Sequence, residues 1–514
     1  MRIFSTKSIK EIDALTIQYE PIESFALMER AAGVLVDALL MHYPESLHFV
    51  IFAGLGNNGG DGIVMARLLL AKGYTVDVWM LASERPLSPD CNKALESLKL
   101  SFPSVVINKL ANGDKPVVPN GAVVVDALFG SGLTRPLEGE CARAVQVINS
   151  CGSIVVSVDV PSGLMGEDNG LSCEERCIVR ADKTFTLQFP KLSMFFPENE
   201  KYVGSVQVLD IGLSVKAMDE VEPLTRIVGL DEVHSLTRPR SRCAHKGNFG
   251  RALLVAGSRG MAGASVLAAR AAMRSGLGLL TVHLPSCNNV IMQTALPEAM
   301  TSIDDCDCCF SSVPDVGRYT AIGVGPGLGV DKRSANALHR LIRECTVPMV
   351  VDADALNILS YNPEWLDKLP SGSVLTPHLG EFARLAAVSS SGYDALMCAR
   401  EFAKRYKVVV VLKGAYTIIV DVDGCFCINS KGNAGMATGG SGDALTGVVL
   451  ALLARGYSAF DAARLAVYVH SVAGDAAAAK YGQTSLVAGD IVDHLPYAWQ
   501  VVECVGNKQN EMLW

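Results

Sequence analysis

The feature that most constrains the fold is an alternation of short apolar runs with stretches of helical period, which occurs in two series. In the first series, the runs HFVIFAG, TVDVWML, GAVVVDALFG and SIVVSVDVPSG are separated by segments whose apolar residues recur every three or four positions. A second series starts at RALLVAGS and continues through LGLLTVHLP, YTAIGVGPG, PMVVDADALN and KVVVVLKGAYTIIVDVDG. Strands that are apolar throughout are typical of parallel sheets covered by helices. The sequence therefore predicts an α/β protein with two mostly parallel sheets, each with helices on both faces.

The length of the chain agrees with two domains. The chain has 514 residues, and single hydrophobic cores usually stop growing at roughly 250 to 300 residues. The segment SVKAMDEVEPLTRIVG lies between the two series, is polar and has no strong period. We therefore predict a first domain over residues 1–213, a linker over 214–225 and a second domain over 226–514.

Charge and the chain start argue against several classes of partner. The formal net charge is -8, and without a local basic patch this charge disfavours binding to nucleic acid or to an anionic membrane. The first residues lack the layout of a signal peptide, and no apolar run reaches the roughly 18 residues of a membrane span. We expect a cytoplasmic enzyme, with homo-oligomers common for proteins of this kind.

The cysteines predict reduced thiols. There are 15 of them, an odd number that is scattered along a chain without a secretory signal. Cys306, Cys308 and Cys309 form the densest patch and include one CxxC spacing. A structural zinc site needs four ligands, and no second pair lies nearby in the sequence. We expect this patch to be a variable loop without a metal, and its role stays open.

A glycine-rich turn in IFAGLGNNGGDG indicates a site for an anion. A strand precedes it, and we predict a helix after it from about Gly62 to Lys72. Backbone N–H groups at such a turn converge on an anion, and the helix N-terminus adds favourable partial charge. The turn lacks the acidic residue expected about 20 residues later in a standard dinucleotide fingerprint. By itself it fits a tight strand-to-helix connection equally well.

Two further strand ends strengthen this interpretation. Asp126 ends one strand and precedes FGSGLTRPL, while Asp159 ends another and precedes a loop with Ser162. Ligands bind beyond the carboxyl ends of strands in open parallel sheets, so the three loops predict one crevice. Oxygen atoms of Asn58, Asp126 and Ser162 are suited to an alkali or alkaline-earth cation.

The motifs FALMERAAG, GLGNNGGDG, DALFGSGLTRPL and DVPSGL together resemble the NAD(P)H-hydrate epimerase domain, over nearly all of residues 1–213. The resemblance implies a Rossmann-like domain that interconverts the R and S epimers at carbon 6 of the hydrated nicotinamide ring. It also implies a potassium ion held by Asn58, Asp126 and Ser162. Asp159 is the candidate catalytic acid–base residue, and a strand-end cap is the alternative. The residues implied to contact hydrated NADH or NADPH are Asn57, Asn58, Gly59, Gly60, Asp61, Gly130, Ser131, Gly132, Leu133, Thr134, Arg135, Pro136 and Asp159.

The strongest single signal is GNAGMATGGSGDALTGVVLALLARG. Its small residues from Gly439 to Gly442 form a loop that enters a helix, where successive N–H groups stabilise negative charge on a phosphoryl or leaving group. Asp443 follows in the first turn. It suits the helix dipole, but beside an anion hole it is also placed to take a proton from a substrate hydroxyl. The run of small residues exceeds what capping requires, which favours the second interpretation.

Other strand ends in this half carry polar residues. VVVVLKGAYTII brings Lys413 to a strand end, where it suits a nucleotide phosphate. VLTPHLGEFARL brings His378 and Glu381 to another, and AIGVGPGLG supplies glycines. A lone histidine is more often structural, yet this motif at a strand exit is difficult to explain by packing.

The GGSGD loop resembles the ribokinase-like superfamily. More narrowly, HKGNFG, AGASVLAARAAMRSGLG, GPGLG, DADALN, LTPHLGEF and GNAGMATGGSGD together resemble its NAD(P)H-hydrate dehydratase branch, over about residues 226–500. The resemblance implies dehydration of the S hydrate to NAD(P)H with ADP as co-substrate and Mg2+, and Asp443 as catalytic residue. The implied hydrate contacts are Ala264, Gly327, His378 and Asp443, and the implied nucleotide contacts are Lys413, Gly414, Ala415, Tyr416, Thr417 and Gly442.

Two alternatives stay open at this point. A small-molecule kinase of the ribokinase-like class, fused to a dinucleotide-binding module, would share the anion hole and the base. The first domain could also be a non-enzymatic sensor of dinucleotides. The choice of ADP over ATP depends on the resemblance alone.

Overall fold

The computed structural model describes residues 1–43, 48–82, 85–110, 116–170, 177–386 and 391–504. It divides the chain into two compact units, one of residues Arg2–Leu224 and one that begins at Thr225 and also includes Met1. Within the ranges just given, no helix combines the length and apolarity that a membrane crossing requires.

The first unit is built on a parallel sheet. Strand β1 (Arg2–Ile3) lies outside this sheet, whose strands are β2 (His48–Ala53), β3 (Thr75–Leu81), β4 (Ile107–Leu110), β5 (Val123–Ala127), β6 (Ile154–Val158), β7 (Lys183–Leu187) and β8 (Ser205–Leu209). Its helices are α1 (Thr6–Tyr19), α2 (Ser24–His42), α3 (Asn57–Ala71), α4 (Pro89–Ser101), α5 (Gly139–Ser150), α6 (Glu200–Val203) and α7 (Val215–Glu220). The sheet runs in the order β4-β3-β2-β5-β6-β7-β8, with parallel pairing throughout.

Both faces of this sheet are covered, as its apolar strands predict. Along β2, Phe49 and Ile51 belong to a core that includes residues of α2, α3 and α4, whereas Val50 and Phe52 belong to a core with residues of α5. The strand order reverses between β2 and β5, and an open α/β sheet binds its ligands at such a switch point.

Helix α3 begins earlier than the sequence predicts. It starts at Asn57 rather than near Gly62, so the glycine-rich stretch forms the first turns of the helix. Glycine and asparagine are poor helix formers, which explains the wrong prediction. Tertiary packing requires the glycines, because a Cβ on Gly60 would lie 2.6 Å from the Met28 methyl carbon and one on Gly62 would lie 2.6 Å from the Ala127 Cβ.

The segment 214–225, expected to be a linker, contains helix α7. Ser214 caps the helix by accepting a hydrogen bond from the Ala217 N–H, and Ala217 and Val221 are buried in a core with Phe4 and Ile12. This segment therefore folds with the first unit up to Leu224.

The second unit has a larger sheet. Its strands are β9 (Thr225–Ile227), β10 (Arg251–Val255), β11 (Leu279–Leu284), β12 (Met300–Ile303), β13 (Ala321–Val324), β14 (Met349–Val351), β15 (Val374–Leu375), β16 (Val409–Leu412), β17 (Thr417–Val420) and β18 (Phe426–Asn429). Its helices are α8 (Leu230–Leu236), α9 (Ala262–Arg274), α10 (Asn289–Ala295), α11 (Lys332–Glu344), α12 (Ala353–Tyr361), α13 (Leu379–Ala386), α14 (Gly392–Tyr406), α15 (Ser441–Ala454), α16 (Ala459–Tyr481) and α17 (Ala488–Glu503).

These strands run in the order β9-β18-β17-β16-β15-β14-β13-β10-β11-β12. Only the pairs β16–β17 and β17–β18 are antiparallel among them. The apolar run after Asp443 forms the largely buried helix α15, and a Cβ on Gly447 would lie 2.0 Å from the Ala268 carbonyl oxygen of α9. The predicted α/β class with two mostly parallel sheets is confirmed.

Two candidate active sites

A cavity of about 1760 Å³ opens in the first unit, where the loops after β2, β5 and β6 meet. It also receives residues of helix α1 and of the segment after β7. The predicted hydrate contacts that line it are Asn57, Asn58, Asp61, Gly130, Ser131, Gly132, Leu133, Arg135, Pro136 and Asp159. Gly59, Gly60 and Thr134 are not among the lining residues. Gly60 instead lies against α2, since a Cβ there would be 2.6 Å from the Met28 methyl carbon.

Asp159 is held at the wall of this cavity by several donors. It follows β6 with a φ of 66°, a conformation that non-glycine residues rarely adopt. One carboxylate oxygen accepts from the Lys191 ammonium and the other from the Ser131 N–H at 3.2 Å. Burial alone would raise the pKa of Asp159, but Lys191 and Ser131 outweigh it and hold that pKa below its usual value. The carboxylate is therefore ionised at neutral pH.

No sequence motif indicated Lys191 as a site residue. Its side chain is only 2% exposed, and besides Asp159 it donates to the Thr186 hydroxyl and the Phe189 carbonyl oxygen, both at 3.0 Å. An isolated buried lysine needs such partners, because an unpaired buried charge is strongly destabilising. The available sequence signal was a single lysine within the apolar stretch LQFPKLSMFF.

Two more carboxyl groups line the same cavity. Asp13 of α1 has its pKa raised to about 6 by burial and by the nearby charge of Asp159. Burial, together with Asp159 and Asp13, raises the pKa of Asp61 well above its ordinary value. The first site thus contains an ionised carboxylate beside two carboxyl groups that take up protons more readily. Asp13 lies far from the motifs in sequence, and no local pattern indicated it.

Asp126 is fully buried behind the cavity. Its Oδ1 accepts from the Ser162 hydroxyl at 2.5 Å and the Leu128 N–H at 3.3 Å, and its Oδ2 accepts from the Ser157 hydroxyl and the Ser162 N–H, both at 2.8 Å. Burial nevertheless raises the pKa of Asp126. These four bonds tie together the ends of β5 and β6. They also occupy the lone-pair positions of the carboxylate.

Asn58 is the freest of the three predicted potassium ligands. Its buried amide nitrogen has no hydrogen-bond partner among the described residues, and its amide oxygen would be 3.2 Å from a Cβ placed on Gly130. The two amide atoms are assigned by their hydrogen bonds, so an unpaired amide can present its oxygen to a cation after a flip. Amide, carboxylate and hydroxyl oxygens are the donor types that suit such an ion.

In the second unit, Asp443 lies in the first turn of α15. The preceding Gly440 has a φ of 93°, and a Cβ there would lie 2.5 Å from the Leu267 side chain, so this position requires glycine. Burial and the negative charge of Asp352 raise the pKa of Asp443 to about 6, although Lys413 acts in the opposite direction. No described residue forms a hydrogen bond with the Asp443 carboxylate, which leaves it available to a ligand.

Lys413 pairs with a different carboxylate. Its ammonium lies 2.8 Å from Asp352 Oδ1 and 3.9 Å from Glu381 Oε2. The Thr446 hydroxyl donates to Asp352 Oδ2 at 2.6 Å. Burial lowers the pKa of Lys413, but the carboxylates outweigh it and the net shift is upward, so the lysine is charged. Gly442 lies against this pair, since a Cβ there would be 3.2 Å from Lys413 Nζ.

The other residues predicted to bind ligand in this unit lie on segments that adjoin strands β13, β16 and β17. A Cβ on Gly325, after β13, would lie 1.8 Å from the Asp352 carbonyl oxygen. Gly327 has a φ of 59°, and its Cβ position is 3.0 Å from the Ala264 methyl group. Gly414, Ala415 and Tyr416 form the exposed turn between β16 and β17, and Thr417 begins β17.

His378 has a clear structural role. Its Nδ1 accepts from the Gly380 and Glu381 N–H groups at 3.0 and 3.3 Å, while Glu381 Oε2 accepts from the His378 N–H at 2.9 Å. These reciprocal bonds cap helix α13. The VLTPHLGEFARL motif, which we expected to be difficult to explain by packing, thus has a structural role in helix capping. The His378 imidazole is 55% exposed.

His470 supports the start of α15 from behind and was not predicted. This residue of α16 is buried, and its Nε2 donates to the Ser441 carbonyl oxygen at 3.0 Å. Burial lowers its pKa to about 4, so the imidazole is neutral at physiological pH. It therefore positions the loop without adding charge.

Each unit of the chain is similar to known proteins. A family model described as NAD(P)H-hydrate dehydratase matches residues 252–497, and one described as YjeF-related protein N-terminus matches residues 24–193. The bifunctional NAD(P)H-hydrate repair enzyme of Moorella thermoacetica is 35% identical over 98% of this chain and 97% of its own length. That of Vibrio cholerae is 36% identical over 96% of this chain and 97% of its own length.

Among solved structures, an ADP/ATP-dependent NAD(P)H-hydrate dehydratase from Bacillus subtilis, co-crystallised with ATP and Mg2+, is 31% identical to the matched part of the chain. The match covers 54% of this chain and 99% of that one, with a TM-score of 0.48.

Proposed function

The chain belongs to the family of bifunctional NAD(P)H-hydrate repair enzymes, and on that premise we propose that each unit carries one activity. The first unit interconverts the R and S hydrates of NADH and NADPH. The second unit dehydrates the S hydrate to NAD(P)H and converts ADP to AMP and phosphate. The observation that carries this proposal is a pair of buried carboxyl groups whose pKa values are shifted in opposite directions, Asp159 after β6 and Asp443 in the first turn of α15.

For epimerisation, loss of the proton from the hydroxyl at carbon 6 would let that oxygen form a carbonyl as the bond between carbon 6 and the ring nitrogen breaks, and the nitrogen would take up a proton. Attack of the nitrogen on the opposite face of the carbonyl, with a proton returned to the oxygen, would give the other epimer. We assign Asp159 as the base that removes the proton of the hydroxyl at carbon 6, because Lys191 and Ser131 keep it ionised. Asp13, with a pKa of about 6, is the nearby group able to hold or return a proton. Lys191 acts as a positioning residue, since its contacts fix the orientation of the Asp159 carboxylate.

The proposed potassium ion would bind at the Asn58 amide, beside Asp126 and Ser162. Its positive charge would favour the negative groups of a dinucleotide at the N-terminus of α3. The buried amide nitrogen of Asn58, which has no hydrogen-bond partner among the described residues, supports this location, because an amide flip would present the oxygen there. The Ser162 hydroxyl donates to Asp126 and accepts from the Phe129 N–H at 2.9 Å, which leaves one lone pair of its oxygen for the ion.

For dehydration, Asp443 would take the proton of the substrate hydroxyl while that oxygen attacks the terminal phosphoryl group of ADP. The N–H groups of Gly440 to Gly442 would stabilise the phosphoryl oxygens. Phosphate then leaves as the ring nitrogen donates its lone pair, and loss of the adjacent ring proton restores the dihydronicotinamide. A free carboxylate with a pKa of about 6 suits a base that acts near neutral pH.

We further propose that the nucleotide phosphates lie near Lys413 and Gly442, with residues 414–417 along the nucleotide. The charged Lys413 ammonium supports this arrangement. Mg2+ would enter with the nucleotide, because this ion is usually held by phosphate oxygens, water and one or two carboxylates. Of the hydrate contacts, Ala264 and Gly327 are adjacent, and the exposed His378 imidazole is accessible to a ligand.

The decisive test follows NADH absorbance after an R and S mixture of hydrated NADH is given to the protein with ADP, Mg2+ and K+. Complete recovery of NADH is expected when both activities are present. Recovery that stops at the S fraction would contradict the epimerase proposal, and a stable phosphorylated product without NADH would contradict the dehydratase proposal. A parallel series with ATP measures the preference between nucleotides.

A further inference from the structure

The three cysteines of residues 306–309 lie together on an ordered loop. Cys306 Sγ is 3.5 Å from Cys308 Sγ and 3.6 Å from Cys309 Sγ. The buried Asp304 organises the loop by accepting from the N–H groups of Cys306 and Ser311, both at 2.8 Å. The loop is therefore built around specific contacts that hold the thiols within reach of one another.

The two cysteines of the CxxC spacing differ in chemical character. Cys306 is partly exposed, and backbone hydrogen bonds from Cys308 and Cys309 lower the pKa of its thiol to about 7. Cys309 is buried, and burial together with the neighbouring Cys306 raises the pKa of its thiol to about 12. The Arg333 guanidinium also donates to Cys306 Sγ at 3.3 Å. A nucleophilic thiolate beside a second, protected thiol is the arrangement of a redox-active pair.

We propose that Cys306 and Cys309 form a reversible disulfide that regulates the second unit. The oxidant would be a low-molecular-weight disulfide. The Cys306 thiolate attacks one of its sulfur atoms and releases one thiolate, which takes up a proton from water. Cys309 then loses its proton to solvent and attacks the Cys306 sulfur, so a second thiol is released and two protein thiols have become one disulfide.

Several features favour a disulfide over a metal ion at this patch. A structural zinc site uses four ligands, whereas the group of closely spaced candidate ligands found among the described residues has three members, Cys306, Cys308 and Cys309. Arg333 donates to Cys306 and also, at 3.8 Å, to Cys308. A guanidinium in contact with two of the sulfurs stabilises thiolates but opposes a nearby cation.

The loop is coupled to the region proposed to bind the hydrate, so this part of the inference rests on the proposed function. The Cys308 carbonyl oxygen accepts from the Arg259 N–H at 2.9 Å. Two residues later, the Met261 carbonyl oxygen lies 2.9 Å from the Cβ position of Gly327. A disulfide requires the two sulfurs to approach from 3.6 Å to about 2.05 Å, so the loop that carries all three cysteines must adjust. We expect this movement to disturb the segment around Gly327.

The test treats the full-length protein with oxidised glutathione, alkylates the remaining thiols and maps the peptide that contains residues 306–309 by mass spectrometry. After this treatment, the protein without substitutions should contain an internal disulfide between Cys306 and Cys309. Cys309→Ser should stop at a glutathione adduct on Cys306, and Cys308→Ser, the matched control, should still form the disulfide. Unreacted thiols at 306 and 309, or loss of the bond in Cys308→Ser, would overturn the proposal. A stoichiometric zinc complex that Cys306→Ser abolishes would also overturn it.

Regulation is measured in the same samples. Dehydration of the S hydrate should fall severalfold on oxidation and return with dithiothreitol, whereas Cys306→Ser should be insensitive to the oxidant. An unchanged rate in protein that carries the mapped disulfide would refute the regulatory effect. If the reduced protein fails to dehydrate the hydrate at all, the proposed function fails, while the peptide map still decides whether the disulfide forms.

Discussion

Both units bring a lysine close to a candidate acid–base carboxylate, but only the first unit pairs the two directly. Lys191 donates to Asp159 itself. Lys413 lies 2.8 Å from Asp352 instead, and Asp443 is left with acidic neighbours and no hydrogen-bond partner among the described residues. The same two residue types therefore give opposite results, a lowered pKa for Asp159 and a raised one for Asp443.

This difference shows that the partner of the lysine decides the protonation of each site. Burial opposes ionisation of both carboxyl groups. In the first unit, a direct ion pair overcomes it. In the second unit, Lys413 forms its ion pair with Asp352 and lowers the pKa of Asp443 too little to offset burial. The pKa of Asp443 therefore lies close to neutral pH, where a base transfers protons most effectively.

The largest expected effect comes from removing the unpaired carboxylate. Asp443→Asn should lower the dehydration rate by about 10² to 10⁴-fold, because an amide cannot accept the hydroxyl proton. Epimerisation should be unchanged. The measurement is NADH recovery from purified S hydrate with ADP. The matched control is Asp490→Asn, which changes an acidic residue in the first turn of α17. If Asp443→Asn dehydrated the hydrate as fast as the protein without substitutions, Asp443 would only interact with the helix dipole.

Breaking the direct pair in the first unit should have the next largest effect. Lys191→Met should slow epimerisation by roughly 10²-fold, because burial then raises the pKa of Asp159 and the base is lost. The free energy of unfolding should also fall by about 3 to 5 kcal/mol, since one buried charge loses its partner. Denaturant unfolding and the rate of R-to-S conversion measure the two effects.

A double variant separates catalysis from folding at this pair. Lys191→Met combined with Asp159→Asn removes both charges and should regain much of the stability but none of the epimerisation. Recovery of epimerisation in the double variant would remove Asp159 from the proposed mechanism.

A third variant makes the second unit more like the first. Asp443 must be ionised to act as a base, so dehydration should fall as the pH drops through about 6. Asp352→Asn removes a negative neighbour and frees Lys413 to pair with Asp443, which should move this midpoint down by about 1 to 2 pH units. The pH profile of dehydration measures the shift. Lys413→Met should move the midpoint upward, and an unchanged midpoint in both variants would contradict the electrostatic comparison.

The smallest effect concerns the proposed potassium ion in the first unit. Asn58→Ala should raise severalfold the K+ concentration needed for half-maximal epimerisation, because the amide is the freest oxygen donor there. Titration of K+ in a tetramethylammonium buffer measures this dependence. The control is Asn92→Ala, on the exposed surface of α4. Identical K+ curves for the two variants and the protein without substitutions would place the ion elsewhere or exclude a role for Asn58.

Local sequence was sufficient for the class of fold and for the loops that meet at each site. Continuous apolar strands indicated parallel sheets, and glycines at their ends indicated ligand loops, because both properties depend on neighbouring residues. Local reasoning was less reliable where packing competes with propensity. It placed the start of α3 near Gly62 instead of Asn57 and did not predict helix α7.

Only the tertiary structure decided which charged groups meet. Lys191 and Asp159 are separated by 32 positions, and Lys413 and Asp352 by 61. Asp13, in helix α1 near the start of the chain, also lines the first cavity. Electrostatic effects depend on distance and burial in space, so the residue types and strand ends could be read from the sequence, whereas the opposite protonation of Asp159 and Asp443 required the folded arrangement.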